Sequence, residues 1–397
     1  MPIVIDGSGS ITGISAGGLP DSSVTTDDIA SSAVTISKID TTVSQLFGMR
    51  NRIINGAMVI DQRNAGAAGT AATNTNPYGV DRWSVYGDVS GKFTYQQNAG
   101  AVTPPAGFTN YFGMTSTSAY TVLAGGRQIV VQSTEGFNTY DLDFGKATAK
   151  TITLSFWVYS SLTGTFGGSL QNYANTRSYP FTYTISVANT WEYKTVTIAG
   201  DTSGTWVGAS NAASFQLNFS LGSGSTYSGT AGAWATANYA SATGATSVVG
   251  TNGATWYITG VQLEIGSTAT PFERRLYDKE LVSCQRYYQK TYNQSVAPGT
   301  ASRPGLIQTV VVGSGGTDYS QVNLFVPMRT GPTISIWDGN ANSNAFSVYA
   351  GGAWTDNTTS SITSANTGEM SWSISYTGNP FSTGMRYMFH FSATAEL

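Results

Sequence analysis

The sequence predicts an all-β protein: an extended N-terminal arm, a jelly-roll β-sandwich, a short linking helix and a second, distal β-sandwich. Three observations predict it. Runs that alternate apolar and polar residues recur along the chain, separated by Gly-rich turns, with no helices between them. Charged residues make up only 10 % of the 397, against roughly 25 % in ordinary soluble domains, while aromatics reach 12 % and there are 46 glycines. That is the composition of sandwiches with many tight turns, and it is too aromatic and too weakly charged for a disordered chain. Finally, one segment alone carries apolar residues at helical spacing. At this length the chain has room for two or three domains with cores of their own.

Residues 1–48 form the arm. They are low in aromatics, and Val24 to Ile29 (VTTDDI) recurs ten residues later as Val34 to Ile39 (VTISKI). Each unit offers two or three aliphatics, too few to bury alone, so the repeat favours chains that wrap or stack; the alternative is a disordered arm. The first sandwich is expected over 49–272. Asn51 to Arg63 reads as its opening, with strand alternation. Ile152, Leu154, Phe156 and Val158 line one strand face, as do Phe215, Leu217, Phe219 and Leu221, and Val261, Leu263 and Ile265. The helix is expected within 273–294. Tyr277, Leu281, Cys284 and Tyr288 fall at i, i+4, i+7 and i+11, a coiled-coil stripe that one helix cannot bury by itself, and so a candidate seam between copies of the chain. The distal sandwich fills 295–397. Gln308 to Val312 is a β-branched run, Met370, Trp372, Ile374 and Tyr376 alternate with polar residues, and so do Tyr387, Phe389 and Phe391. A strand running to Ala395, Glu396 and Leu397 suggests a tied-down C-terminus.

The formal charge of −3 gives no electrostatic case for nucleic acid. No N-terminal secretion signal and no membrane-length apolar run is present. The lone cysteine cannot form an intrachain disulfide, and with one Cys and one His a zinc site of ordinary spacing is excluded. His390 lies opposite the aromatic face of its strand and reads as a surface or interface residue, the alternative being a general base. No nucleophile elbow precedes a helix. Glycoside hydrolysis needs only two carboxylates, for which Glu135, Asp141, Asp143 and Glu264 are candidates without a convincing pair; Glu264 is expected to face solvent or a neighbouring subunit. Asp338 to Asn344 places oxygen ligands like the start of a calcium loop, but Tyr349 stands at the twelfth position, so a polar turn is expected and no metal or cofactor. Gly164 to Gly168 and Gly313 to Gly316 read as hairpin turns.

Carbohydrate binding is the remaining chemistry. Sugar sites combine exposed aromatic faces with amides and acids for the hydroxyls. The sharpest candidate is a Gly-rich loop holding Tyr349, Trp354, Asp356 and Asn357, with Trp234 second; Trp157, Trp256 and Trp372 sit in strand patterns and read as core or interface.

Four pieces of the chain resemble the tail fibres of tailed bacteriophages. Met1 to Ile14 (MPIVIDGSGSITGI) looks like a fibre N-terminus, and the VTTDDI and VTISKI units look like shaft repeats. Asn51 to Met58 (NRIINGAM) with Asp81, Arg82 and Trp83 resembles the opening of a jelly-roll module. Ile258 to Gly266, Pro271 to Arg275 and Cys284 to Lys290 resemble that module's end and the helix after it. The likeness covers about residues 1–290. It implies a homotrimer in the virion tail, made in the host cytoplasm and released by lysis. The arm would meet tail or adaptor proteins, and the distal part would meet a bacterial surface polysaccharide. The expected function is non-catalytic adsorption, with no membrane insertion. The alternatives are a tailspike that degrades capsule or lipopolysaccharide, and a purely structural virion component.

Overall fold

The computed structural model of the chain describes Val4–Ile5, Ile11–Thr12 and residues 49–310, 321–350, 353–357, 361–377 and 386–397. The VTTDDI and VTISKI repeats and the Gly313 to Gly316 turn lie outside the described residues. The chain divides into two units, Met1–Arg50 and Asn51–Leu397. In the first, β1 (Val4–Ile5) pairs antiparallel with β2 (Ile11–Thr12).

The second unit opens with β3 (Gly69–Thr70), β4 (Tyr78–Val80), β5 (Trp83–Gly87), β6 (Phe93–Gln97), β7 (Phe112–Ser116) and β8 (Arg127–Glu135). Then come β9 (Ile152–Ser160), β10 (Gly164–Asn172), β11 (Ser178–Ile185), β12 (Glu192–Ile198) and β13 (Ala213–Ser223). The two-residue strands β14 (Ser228–Gly229) and β15 (Ser241–Ala242) precede the long β16 (Thr255–Ile265). These make two six-stranded antiparallel sheets, ordered β11-β10-β13-β8-β5-β4 and β12-β9-β16-β7-β6-β3. Each of the three alternating runs read from the sequence lies on one sheet and turns its apolar face inward. Phe156 from the second sheet and Phe219 from the first meet edge to face with centroids 5.0 Å apart. Trp256 joins them, its indole Nε1 donating to the Tyr183 hydroxyl at 2.9 Å. This is a jelly-roll-type sandwich, as expected.

Two local expectations fail inside it. Residues 51–61 form no strand. Their polar side chains are buried and replace a ladder with bonds of their own: Asn51 Nδ2 donates to the Val261 carbonyl (3.1 Å), and Asn55 Nδ2 to those of Ile60 (2.8 Å) and Asp81 (2.9 Å). Gly164 to Gly168 is not a turn but the first half of β10. A Cβ at Gly168 would lie 2.5 Å from the Phe181 ring, so the glycine there makes room for an aromatic ring rather than for a bend.

Beyond β16, helix α1 runs only over Tyr277–Gln285 and is the one α-helix among the described residues. It stops because Tyr288–Lys290 is strand β17. The distal sandwich adds β18 (Ile307–Val310), β19 (Gln321–Asn323), β20 (Thr333–Trp337), β21 (Phe346–Ala350), β22 (Ala353–Asn357), β23 (Ser361–Ala365), β24 (Ser371–Thr377) and β25 (Arg386–Thr394). β25 is its hub, pairing with β17, β18, β20 and β21, while β24 sits between β19 and β23. Trp372, Tyr387, Phe389 and Phe391 form its core.

The two cores lie in one unit and are joined by buried charge. Arg82 from the jelly roll lies over the Tyr287 ring, 3.5 Å from its centroid, and pairs with Glu396. Arg63 reaches the same carboxylate at 2.7 Å and covers the Tyr288 ring at 3.7 Å. Arg286 holds Glu135 through two bonds of 2.8 and 3.1 Å.

Candidate functional site

The outer face of the second sheet carries an open cleft of about 640 Å³. Strand alternation builds it. Because Leu154, Phe156 and Val158 point into the core, Ser155, Trp157 and Tyr159 of β9 must point out. On the neighbouring β12, Tyr193 stands in register opposite Trp157, their ring centroids 5.4 Å apart, and is 44 % exposed.

The loop over 98–111 crosses the rest of this face. It is pinned at its ends by Asn98 and Tyr111, whose backbone groups bond at 2.9 Å, and by the Tyr111 hydroxyl, which donates to the Ala99 carbonyl at 2.5 Å and accepts from the Val102 N–H at 2.8 Å. Tyr111, Tyr257, Tyr159 and Trp191 then form a continuous ring stack beneath it, with successive centroids 5.2 to 5.5 Å apart. The indole of Trp191 donates to the Thr103 carbonyl at 2.9 Å. These aromatics hold the loop; those beyond it line the cleft.

The cleft floor is Gly260, in a bulge where the register between β16 and β9 shifts, with φ +62°. A Cβ there would lie 2.6 Å from Phe108 Cζ and 3.1 Å from Trp157 Cδ1. The far wall is the segment after β16, which supplies Thr270, Phe272 and Arg274. Glu264 anchors that wall. Its carboxylate accepts from the Thr270 N–H (2.9 Å), the Thr270 hydroxyl (2.6 Å) and Gln262 Nε2 (2.8 Å), while Gln262 Oε1 accepts from the Glu273 N–H at 2.7 Å. Glu264 is therefore fully buried beneath its own chain and does not face solvent or a neighbour as expected. Phe272 meets Phe108 edge to face at 5.2 Å.

The cleft thus offers ring faces from Phe108, Trp157, Tyr193 and Phe272 and one charge, Arg274, with Ser155 and Thr270 buried in its wall. No carboxylate stands among its described lining residues. The arrangement suits a flat, hydroxylated ligand with an apolar face. One residue of it is legible in the sequence: a Trp alternating against a four-residue apolar face lies on the opposite face. Trp157, which its strand pattern assigns to core or interface, is half-buried and turned outward from its own sandwich core.

The other candidates fall elsewhere. Tyr349 and Trp354 are not in a loop but on β21 and β22, paired in register with ring centroids 5.0 Å apart. A pair of strands places both rings on one side of a hairpin, and Tyr349 is 40 % exposed. The side chains of Asp356 and Asn357 lie outside the described residues. Trp234 is half-buried among Phe144, Tyr179 and Trp206, and its indole donates to the Ala199 carbonyl at 2.7 Å, so it closes the first sandwich rather than presenting a free face.

The proposed seam also changes. Cys284 is fully buried within its own chain, where burial pushes the thiol well above its ordinary range, and Tyr288 is a strand residue under Arg63. Neither faces outward: Cys284 sits on the helix face turned into its own chain, and Tyr288 belongs to β17 rather than to the helix. Leu281 is partly buried and Tyr277 is 55 % exposed.

The remaining carboxylates are engaged by cations: Asp141 by Arg52 (2.7 Å), Asp143 by Lys146 (2.7 Å) and Glu135 by Arg286. Asp338 accepts from the Asn340 and Asn342 N–H groups at 2.9 and 2.8 Å, so its oxygens shape a turn. His390 is buried and not at the surface as expected.

The chain matches no protein-family model and no curated protein. Among solved structures it is similar to the enzymatically active domain of the bacteriophage CBA120 tailspike protein 4, at 13 % identity and TM-score 0.29, over 54 % of this chain and 21 % of that one. It is also similar to a family 11 carbohydrate-binding module of a Clostridium thermocellum cellulase, at 15 % identity and TM-score 0.25, over 52 % of this chain and 99 % of the module. A third is the N-terminal cellulose-binding domain of a Cellulomonas fimi β-1,4-glucanase, at 16 % identity and TM-score 0.21, over 41 % and 82 %. The chain therefore spans about a fifth of the length of that tailspike domain, and likeness of this degree assigns it neither a family nor an activity.

Proposed function

We propose that this protein binds a glycan, without cleaving it, in the cleft on the outer face of the second jelly-roll sheet. The observation that carries the reading is the pair Trp157 and Tyr193, ring against ring in register on adjacent strands and open to a cleft whose rim carries the Arg274 guanidinium. A sugar ring lays its C–H face on an aromatic face and spends its hydroxyls on neighbouring polar groups, so this set matches what a saccharide presents. Binding without cleavage is supported by the four carboxylates considered for hydrolysis, each held by a cation or by backbone and side-chain donors of its own chain.

The sequence resemblance gives this activity a setting: a phage tail fibre, homotrimeric, with its arm toward the tail, adsorbing to a bacterial surface polysaccharide. Three modest sites on one trimer would add avidity where the polysaccharide repeats at a matching span. The test is calorimetric titration of bacterial surface polysaccharides into the full chain and into Trp157→Ala. The expected result is binding weakened by about tenfold or more, the loss of roughly 1.4 kcal/mol of ring contact. Unchanged affinity in Trp157→Ala would move the site elsewhere, and steady release of new reducing ends would overturn the non-catalytic reading. Light scattering that shows a monomer at micromolar concentration would remove the trimer.

A further inference from the structure

Among the described residues that line the cleft, Arg274 alone is charged. Its guanidinium carbon sits 4.9 Å from the Phe108 ring centroid and 5.8 Å from that of Phe272. Gly107 makes the placement possible: with φ +85° it has no side chain on that side, and a Cβ there would come within 2.7 Å of Arg274 Nη2. Two rings and a glycine thus hold an exposed cation at the rim, and among the described residues it has no ion-pair partner, while its neighbour Arg275 pairs with both Glu273 and Glu280. Ring contacts of this kind engage the cation's charge without using its N–H groups as hydrogen-bond donors, and those donors can grip a planar anion with two parallel bonds.

We propose that the cleft selects acidic glycans, with Arg274 binding the carboxylate of a uronic acid residue while Trp157 and Tyr193 carry the sugar rings. The proposal rests on the cleft being the glycan site. A neutral glycan would offer this cation only single bonds to ring hydroxyls, whereas a carboxylate matches both its charge and its fork of donors. A carboxylate there, by contrast, meets a cation already held in place, and a charge-assisted bond is roughly twice as strong as a neutral one.

The experiment uses the full chain on an array of bacterial capsular and O-antigen polysaccharides, each presented in native form and after carboxyl reduction, which converts uronates to hexoses and keeps the linkages. Wild type is expected to bind uronate-bearing polysaccharides and to lose at least tenfold in affinity when they are reduced. Arg274→Gln should show that same loss on the native polymers and no further change on the reduced ones, with a smaller dependence on salt. Equal binding to native and reduced polymers, or an Arg274→Gln variant that binds native polymers like wild type, overturns the acidic-glycan proposal. If those polymers still lose affinity in Trp157→Ala, the cleft reading survives that failure. If Trp157→Ala is also without effect, or nothing on the array binds, the cleft reading falls as well.

Discussion

His390 lies flat against Tyr292, the ring centroids 3.7 Å apart and the planes 17° from parallel. Its Nε2 is 3.1 Å from the Ser302 carbonyl, which can only accept, so Nε2 carries the proton and Nδ1 accepts from the Thr291 hydroxyl at 2.9 Å. Both nitrogens are satisfied in the neutral ring, and burial pushes its pKa from 6.5 down to about 4. The unfolded chain therefore binds a proton that the folded chain refuses. The stabilising contribution is complete above the unfolded value and is lost as pH falls from about 6.5 toward 4, at up to about 1.4 kcal/mol per pH unit. Asp81, pushed up to about 6 by burial, acts in the opposite direction over part of the same window. The comparison is therefore between wild type and His390→Asn in urea melts at pH 7 and pH 4.5. The gap between them should narrow at the lower pH; parallel loss in both would assign the acid sensitivity elsewhere.

Gly260→Ala should damage the cleft more than the fold. The positive φ costs roughly 1–2 kcal/mol for a residue with a Cβ, and the methyl group would displace Phe108 and Trp157 from the floor. Glycan affinity should fall to the level of Trp157→Ala while the protein still unfolds in one cooperative transition. Retained affinity would mean that the floor is not part of the site.

Glu396 is shared by Arg63 and the buried Arg82 in a largely enclosed position, and Arg329 Nη2 donates to its carbonyl at 2.9 Å. Removing one charge of such a cluster leaves cations without compensation, at a cost of about 3–5 kcal/mol. Glu396→Gln should lower stability by that order in denaturant melts, with the jelly roll and distal sandwich losing their common transition. A change under about 1 kcal/mol would show that the cluster does not hold the two cores together.

Tyr183→Phe tests the centre of the jelly roll. Its hydroxyl is the acceptor for the buried Trp256 indole, and without it that N–H has no partner, which costs about 1–3 kcal/mol. Stability should drop by that amount with no change in glycan affinity, since neither residue lines the cleft. Altered affinity would couple the core to the outer face.

The sequence by itself determined the all-β class, the two sandwiches and most of the core. Period-two alternation states which residues of a strand share a face, and Ile152 to Val158, Phe215 to Leu221 and Tyr387 to Phe391 bury the faces that alternation picks out. It overran at α1, where helical spacing continued through Cys284 into Tyr288 although pairing with β25 had already made Tyr288 a strand residue. It also put Trp354 in a loop because two glycines beside it look like a turn, whereas the register of β21 with β22 places it opposite Tyr349. Only the tertiary structure decided the cleft. Phe108, Trp157, Tyr193, Gly260 and Arg274 come from two loops and three strands, and their convergence depends on strand order, on one bulge and on where a buried Glu264 ties the segment that follows β16. Those are long-range relations, and no local pattern in the chain encodes them.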